Sequence, residues 1–223
     1  MKSFRSLPTT RKAGFPPADT TPPLWQHTGM ARKTDPRNFE RVLDAAAKLF
    51  LDVGYDAASM QQLADRLGLH KSSLYHYVSS KDDLLKHLID EAQTTAEHDL
   101  DVAEQDLESG YLTALKLAIE QTLNDRSRVS LVLRQKPGSA AGDNAITRRR
   151  SYDQRLAKLI EHAQASGTVR GDIHPMLLAR LTMGMVAWIV EWYDPERTRF
   201  SAEEITQAAL TLVNQGIGLP EGR

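Results

Sequence analysis

The sequence lacks several features that mark common classes of protein. Its 223 residues include no cysteine, which excludes a disulfide scaffold, a thiolate metal site and a cysteine nucleophile and fits a reducing compartment. No apolar run approaches the roughly 20 residues that a membrane-spanning helix needs. The basic N-terminal segment is not followed by the hydrophobic region of a secretory signal. We therefore expect a cytoplasmic protein with no membrane partner.

The motifs of several enzyme classes are also missing from the sequence. There is no glycine-rich phosphate loop, no G-x-S-x-G and no H-E-x-x-H. The seven histidines are scattered, and His70 and His76 are isolated from carboxylates that could complete a metal site. We predict that the protein is not an enzyme and that it needs no metal or cofactor.

Helix-forming sequence dominates what is present. Alternation of β-branched residues is almost absent, and apolar residues recur at helical spacing. The sequence therefore predicts an all-α fold, with a small helical part over residues 31–81 and a larger helical part over residues 82–223. Residues 1–30 are rich in Pro and Thr and are predicted to be a disordered extension.

The segment from Ser59 to Lys81 has the pattern of two short helices joined by a tight turn. Ser59 can cap the first helix, and Gly68 can end it in the left-handed conformation. An upstream helix with an apolar stripe from Phe39 to Phe50 would complete a three-helix core. Any two packed helices joined by glycine share this spacing, so an ordinary helical pair is the alternative.

The second helix of this segment has an outer surface that suits DNA. Leu69, Leu74 and Val78 are expected to pack inward. The residues left outside are then Lys71, Ser72, Ser73, Tyr75 and His76. Short polar side chains, one lysine and two aromatic hydrogen-bonding residues suit contacts with base edges and phosphates in the major groove. The sequence thus predicts a recognition helix.

The motifs L-A-D-R-L-G-L, K-S-S-L-Y-H-Y and S-S-K-D-D-L-L follow Gly54-Tyr55 in order. Across residues 37–88 they resemble the N-terminal domain of TetR/AcrR-type transcriptional regulators. His70 departs from the Ser or Thr that often caps the recognition helix in that family, and Tyr77-Val78 departs from His-Phe. The resemblance implies that Lys81 contacts phosphate. The predicted DNA contacts are Ser59, Lys71, Ser72, Ser73, Tyr75, His76, Lys81, Arg32, Lys33 and Arg37.

Formal charge is unevenly distributed, although the net charge is only −1. Residues 1–81 contain 12 Lys and Arg against 7 Asp and Glu, a net charge of +5, and residues 82–223 carry −6. Such a chain can meet DNA phosphates with one end. The cluster of Arg32, Lys33 and Arg37 is expected to contact the DNA backbone or minor groove. A solvated tail, or a natural start at Met30, is the preferred interpretation of residues 1–29.

Apolar patterning in the larger part predicts self-association. Further helices are expected near residues 82–104, 111–123, 128–134 and 146–165, with K-P-G-S-A-A-G-D as a loop. The Pro175–Tyr193 segment is apolar almost all round, so it must be buried on several sides. The last helix has an apolar stripe at Ile205, Ala208, Ala209, Leu212 and Val213. Together these two helices predict a homodimer on a palindromic operator, which the family resemblance also implies; a core helix in a monomer is the alternative.

A ligand pocket is the last expectation. The residues that could line it are Tyr111, Leu115, Tyr152, Leu156, Met183, Met185, Trp188 and Trp192, although each could equally belong to the core. The W-I-V-E-W-Y-D-P run followed by S-A-E-E-I resembles the C-terminal domain of TetR-type regulators of fatty-acid and acyl-CoA catabolism.

That second resemblance implies an acyl-CoA or related apolar effector and a repressor that the effector releases from DNA. Residues 31–81 are therefore predicted to be a three-helix helix-turn-helix DNA-binding domain, and residues 82–223 a larger helical ligand-binding and dimerisation domain. Arg148, Arg149 and Arg150 could bind the phosphates or carboxylate of the effector, or could be a solvated helix face. A multidrug-efflux type of regulator with an aromatic or cationic drug effector and a ligand-free helical adaptor are the alternative functions.

Overall fold

The computed structural model describes residues 36–217, and every regular element in that range is an α-helix. The helices are α1 (Pro36–Val53), α2 (Met60–Leu67), α3 (Lys71–Leu74), α4 (Lys81–Ala103), α5 (Gly110–Asn124), α6 (Arg126–Leu133), α7 (Ala140–Ala165), α8 (Pro175–Trp192) and α9 (Ala202–Ile217). The predicted all-α fold is confirmed. The expectations for residues 1–35, which include the disordered extension and the basic side chains of Arg32 and Lys33, lie outside the described residues.

Local side-chain chemistry sets the ends of the first helices. Ser59 Oγ accepts a hydrogen bond from the Gln62 backbone N–H (3.2 Å), and Gln62 Oε1 accepts one from the Ser59 N–H (2.8 Å). This reciprocal pair satisfies two donors that the start of α2 would otherwise leave unpaired. Gly68 ends α2 with a φ of +66°, which only glycine adopts at little cost. Ser80 Oγ caps α4 by accepting from the Asp83 N–H.

The turn between α2 and α3 differs from the prediction at two side chains. Leu69 was expected in the core, but 40% of its surface is exposed. Its backbone N–H closes α2 on the Ala64 carbonyl (3.0 Å), and the turn that follows leaves the side chain at the surface. His70 is the N-cap residue of α3, and within the described range its imidazole makes no capping hydrogen bond.

Helix α7 begins at Ala140, rather than at Ile146 as the sequence predicts. Ser139 Oγ accepts a hydrogen bond from the Gly142 N–H (3.1 Å) and so starts the helix within the expected loop. A Cβ on Gly142 would clash with the carbonyl oxygen of Lys136. This glycine therefore permits a close approach of the chain to the first turn of a helix, and does not mark a loop.

The buried apolar residues form two clusters that meet along α4. The first cluster contains α1, α2, α3 and the first half of α4, and it also receives Leu131 and Val132 of α6 and Ala145 of α7. The second contains α5, α7, α8 and α9 together with Leu100 and Ala103 near the end of α4. Because α4 is one continuous helix, it joins helices α1–α3 to the larger helical part.

Within one subunit, helix α8 is buried on one side, and the predicted burial of its other side against a twin subunit stays a prediction. Its inner face packs against the second cluster through Leu178, Ala179, Val186 and Ile189. Its outer face exposes 43–66% of the surface of Leu177, Leu181, Trp188 and Trp192. In the part of the chain that the structure describes, no helix is long and apolar enough to cross a membrane.

The apolar stripe predicted on α9 divides between two faces. Ile205, Ala209 and Val213 are buried against the core of the same subunit. Ala208 lies outside, and Leu212 is 67% exposed. Because a helix turns by about 100° per residue, adjacent members of a stripe can point to different partners. Only the second pair is available to a twin subunit.

Candidate functional sites

The surface around α3 has the exposure that a DNA-reading helix requires. Leu74 and Val78 are buried in the first cluster and anchor the segment. The residues that face outward are Lys71, Ser72, Tyr75 and His76, while Ser73 is half-buried. Tyr75 exposes 47% of its surface although it is aromatic, so its ring is available to a ligand such as DNA.

Two other predicted DNA contacts are engaged within the protein. Ser59 Oγ takes part in the capping pair with Gln62 and donates to Gln62 Oε1 (3.1 Å). Lys81 Nζ donates to the carbonyl oxygens of Tyr55 (2.8 Å) and Ala58 (3.0 Å) and lies 4.4 Å from the centre of the Tyr55 ring. Lys81 therefore holds the turn between α1 and α2, and a phosphate contact would have to compete with these carbonyls.

Arg37 lies exposed in the first turn of α1, where it is the described member of the predicted basic arm. The Tyr55 hydroxyl, at the other end of this helix, donates a hydrogen bond to Asp82 of α4. Burial raises the pKa of the Tyr55 hydroxyl, and the hydrogen bond to Asp82 raises it further. The base of the DNA-binding unit is thus tied to the start of α4.

A cluster of four carboxylates around Arg128 connects α1, α4 and α6. The guanidinium lies 3.0 Å from Asp44 and 3.4 Å from Glu40, both on α1, and 3.3 Å from Glu91 on α4. It also lies 3.1 Å from Asp125, which caps α6 and explains why the helix begins before Arg128. The Arg128 side chain is 13% exposed, so its ion pairs are screened less than surface pairs.

The pKa of the Glu91 carboxyl reflects this crowding. Burial raises it, the negative charge of Glu40 raises it further, and the positive charge of Arg128 lowers it. We refer to Arg128 with Glu40, Asp44, Glu91 and Asp125 as the Arg128 cluster. The positive charge of the guanidinium offsets the repulsion that these carboxylates would otherwise exert on one another.

A cavity of about 580 Å³ lies between α4, α5, α6, α7 and α8. This volume falls in the range of small-molecule sites. Three of the residues predicted to bind ligand are on its wall, namely Tyr152, Met183 and Arg149. Apolar side chains supply much of the rest, among them Ala96, Val129, Val132, Leu133, Ile146 and Val186.

The other predicted pocket residues lie elsewhere in the described structure. Tyr111, Leu115 and Leu156 are buried in the second apolar cluster, and Met185 is half-buried against it. Trp188 and Trp192 are on the outer face of α8, 66% and 43% exposed. The residues of α8 that line the cavity all precede the two tryptophans and are Arg180, Met183, Gly184, Val186 and Ala187.

Charge is concentrated on the α7 side of the cavity. Arg148 donates to both oxygens of Glu97 on α4 at 2.7 and 2.8 Å, and this hydrogen bonding lowers the pKa of the Glu97 carboxyl. Arg149, Arg150 and Arg180 also line the wall. Burial raises the pKa of the Asp153 carboxyl, and the positive charges of Arg180 and Arg149 lower it. The four arginines and two carboxylates give the wall a formal charge of +2.

Two glutamines on the cavity wall were not predicted from the sequence. Gln93 Nε2 of α4 donates to the Ala145 carbonyl of α7 (2.8 Å), and Gln121 Nε2 of α5 donates to the Ala92 carbonyl of α4 (2.7 Å). Each amide links two helices at the cavity. Gln93 stands at helical spacing behind Ile89 in an apolar stripe, and that break in the pattern was the available signal.

Comparison with known proteins identifies the family to which this chain belongs. The model of "Bacterial regulatory proteins, tetR family" matches residues 42–88, and that of "Tetracyclin repressor-like, C-terminal domain" matches residues 113–217. SCO3833, a TetR-family regulator from Streptomyces coelicolor A3, is 32% identical with a TM-score of 0.70 over 80% of this chain and 91% of its own. The chain therefore belongs to the TetR family, whose members are transcriptional regulators and not enzymes.

Two further proteins are similar to this chain over most of its length. The transcriptional repressor KstR2 of Mycolicibacterium smegmatis is 26% identical over 191 residues, which is 82% of this chain and 92% of that protein. The structure of AibR in complex with isovaleryl coenzyme A and operator DNA is 23% identical, with a TM-score of 0.68 over 78% of this chain and 96% of its own. At 23% identity, the similarity to AibR shows only that the two proteins share a fold.

Proposed function

We propose that this regulator is a repressor that binds a palindromic operator as a homodimer and is released from it by an apolar anion, in the first place an acyl-CoA. The observation that carries the proposal is that α4 belongs to two sites. Its first half packs under the DNA-reading helices, and its middle forms one wall of the 580 Å³ cavity. A ligand in that cavity therefore contacts the helix on which the DNA-reading helices rest.

The outward residues of α3 support operator reading. Lys71 stands in the first turn of α3, and Tyr75 follows directly after its end, so both project from the same short segment. A lysine in this place can meet phosphate or guanine, and a tyrosine can donate its hydroxyl or pack on a thymine methyl group. Their anchor, Leu74, is fully buried, which fixes the position of the segment.

Substitution of Lys71 or Tyr75 by alanine tests this surface. Each change should weaken operator binding by about tenfold, since one good base or phosphate contact contributes about 1.4 kcal/mol. Gel-shift titration on the operator measures the loss, and circular dichroism checks that the helices remain. Lys116→Ala, at an exposed side chain of α5, is the matched control and should bind normally. Unchanged affinity in both α3 variants would remove this helix from the interface.

The outer faces of α8 and α9 support the homodimer. Leu181 and Trp188 of α8 and Leu212 of α9 each expose more than 60% of their surface to solvent. Exposed apolar side chains at helical spacing are typical of a subunit interface, and both helices pack against α5. Ala208 is exposed on α9 as Leu212 is, and its small side chain allows backbones to approach closely. A second copy related by a two-fold axis matches the symmetry of a palindromic operator.

An arginine at Leu181 or Leu212 should therefore produce monomers that no longer hold the full operator, because an unpaired charge would be buried in the interface. Light scattering coupled to size exclusion measures the mass. Leu107→Arg, at an exposed apolar residue between α4 and α5, is the control and should remain dimeric. Ala209 is unsuitable for this test because it is buried within its own subunit. A dimer that survives both changes would place the interface elsewhere.

The cavity supports an apolar anion as effector. Its wall is largely apolar and carries a formal charge of +2, so a hydrocarbon chain can be buried while an anionic group stays near the arginines. Arg148 is already paired with Glu97, which leaves Arg149, Arg150 and Arg180 as the other cations of the wall. Of these, Arg180 and Arg149 act on the Asp153 carboxyl. An acyl-CoA combines these properties, and AibR was crystallised with isovaleryl coenzyme A.

The effector class is tested by offering octanoyl-CoA, octanoate and the lipophilic cation tetraphenylphosphonium to the protein–operator complex. Octanoyl-CoA should release operator and, at 100 times its Kd, stabilise the fold by about 2.7 kcal/mol. The double variant Arg149→Met, Arg150→Met should bind octanoyl-CoA about tenfold more weakly. Arg134 pairs with Glu191, and Arg134→Met should bind octanoyl-CoA as the wild type does. If tetraphenylphosphonium alone stabilises the protein and releases operator, an efflux-type regulator is the correct interpretation.

A further inference from the structure

Gln93 is a polar residue in an apolar position at the cavity. It is 5% exposed and stands on α4 among Leu85, Ile89 and Ala92. Its Nε2 donates to the Ala145 carbonyl at 2.8 Å, and this bond fixes which way the amide points. Its Oε1 is buried and accepts no hydrogen bond from any residue in the described range.

A buried carbonyl oxygen without a donor costs free energy that a leucine or methionine of similar shape would not. Native proteins leave few such atoms, and each calls for an explanation. The other two glutamines on the wall, Gln121 and Gln135, also donate to backbone carbonyls, those of Ala92 and Leu131, but neither of their Oε1 atoms is among the buried unpaired atoms of the described residues. Gln93 therefore carries an acceptor without a partner in the described range, on a side chain that lines the cavity.

The surroundings of Gln93 indicate which part of a ligand would lie near its acceptor. Ala145, which Gln93 holds, lies one helical turn before Arg149 on α7, and Gln93 lies one turn before Glu97, the partner of Arg148. One turn is about 5.4 Å. The acceptor thus stands between the apolar wall and the arginines, where an uncharged polar part of a ligand would pass.

We propose that Gln93 Oε1 accepts a hydrogen bond from an amide N–H or hydroxyl of the effector, placed between its apolar chain and its anionic end. This inference deepens the proposed function, on which it rests for the location of the site. The pantetheine arm of an acyl-CoA carries such amides between its thioester and its phosphates. Simple fatty acids lack the donor, so Gln93 selects against them.

The test uses two neutral probes of the same length, N-octylacetamide, which has one N–H donor, and octyl acetate, which has none. Calorimetric titration gives the ratio of the Kd for the ester to the Kd for the amide. Because the solvation difference between the probes is the same for every variant, it cancels when variants are compared. The ratio should be about tenfold larger for the wild type than for Gln93→Met.

Gln121→Met is the matched control, since it also removes a glutamine-to-backbone hydrogen bond from the wall, and it should keep the wild-type ratio. Gln93→Leu is made alongside, and thermal unfolding should show both Gln93 variants at least as stable as the wild type, because the unpaired acceptor is gone. The proposal is overturned if the ratio survives in the Gln93 variants, if it is equally lost in Gln121→Met, or if neither probe binds the wild type. Since neither probe is a thioester, failure of octanoyl-CoA to release operator would count against the effector class and not against Gln93.

Discussion

A single guanidinium connects the DNA-binding helices to the rest of the molecule. Arg128 of α6 lies within 3.4 Å of Glu40 and Asp44 on α1, Glu91 on α4 and Asp125, the N-cap residue of α6. These carboxylates come from different parts of the chain and would repel one another without the cation. The arginine is mostly buried while its partners reach solvent, so the position of α1 depends on the position of α6 more strongly than a surface ion pair would require.

Helix α6 is suited to transmit a change at the cavity. Val129, Val132 and Leu133 form part of the cavity wall, and Arg128 projects from the same eight-residue helix toward α1. Arg126 Nε donates to the Val190 carbonyl (2.7 Å), so α8 holds the helix from the other side. In the proposed account, a ligand that displaces α6 also displaces the carboxylates of α1, and the spacing of the two recognition helices in a dimer changes with them.

The parts of this account that the sequence predicts are those set by local spacing. Ser59 and Ser80 begin helices and Gly68 ends one, each through contacts with residues three or four positions away, so a pattern of a few letters is sufficient. Leu74 and Val78 follow from helical periodicity in the same way, and Leu69 does not because it lies in the turn between α2 and α3, which leaves its side chain at the surface.

The remaining features depend on which faces of distant helices meet. Met183 lines the cavity and Trp188 does not, although both fit an apolar pocket by composition, because the rotation of α8 about its axis is decided by tertiary packing. Arg128 meets Glu40 across 88 positions of sequence. Gln93 Oε1 points away from any donor in the described range because the Gln93 amide nitrogen is bonded to the Ala145 carbonyl of α7. No local pattern encodes such relations.

The central claim is that the Arg128 cluster couples α1–α3 to the cavity-bearing helices. Hydrogen–deuterium exchange of the wild type, Arg128→Met and the control Arg66→Met, whose pair with Asp52 is exposed, tests it most directly. The account predicts that in Arg128→Met the amides of α1–α3 exchange at least about tenfold faster. The amides of α5, α7 and α8 should keep their protection, and Arg66→Met should resemble the wild type. Equal acceleration in every helix, or no change in α1, would contradict the account.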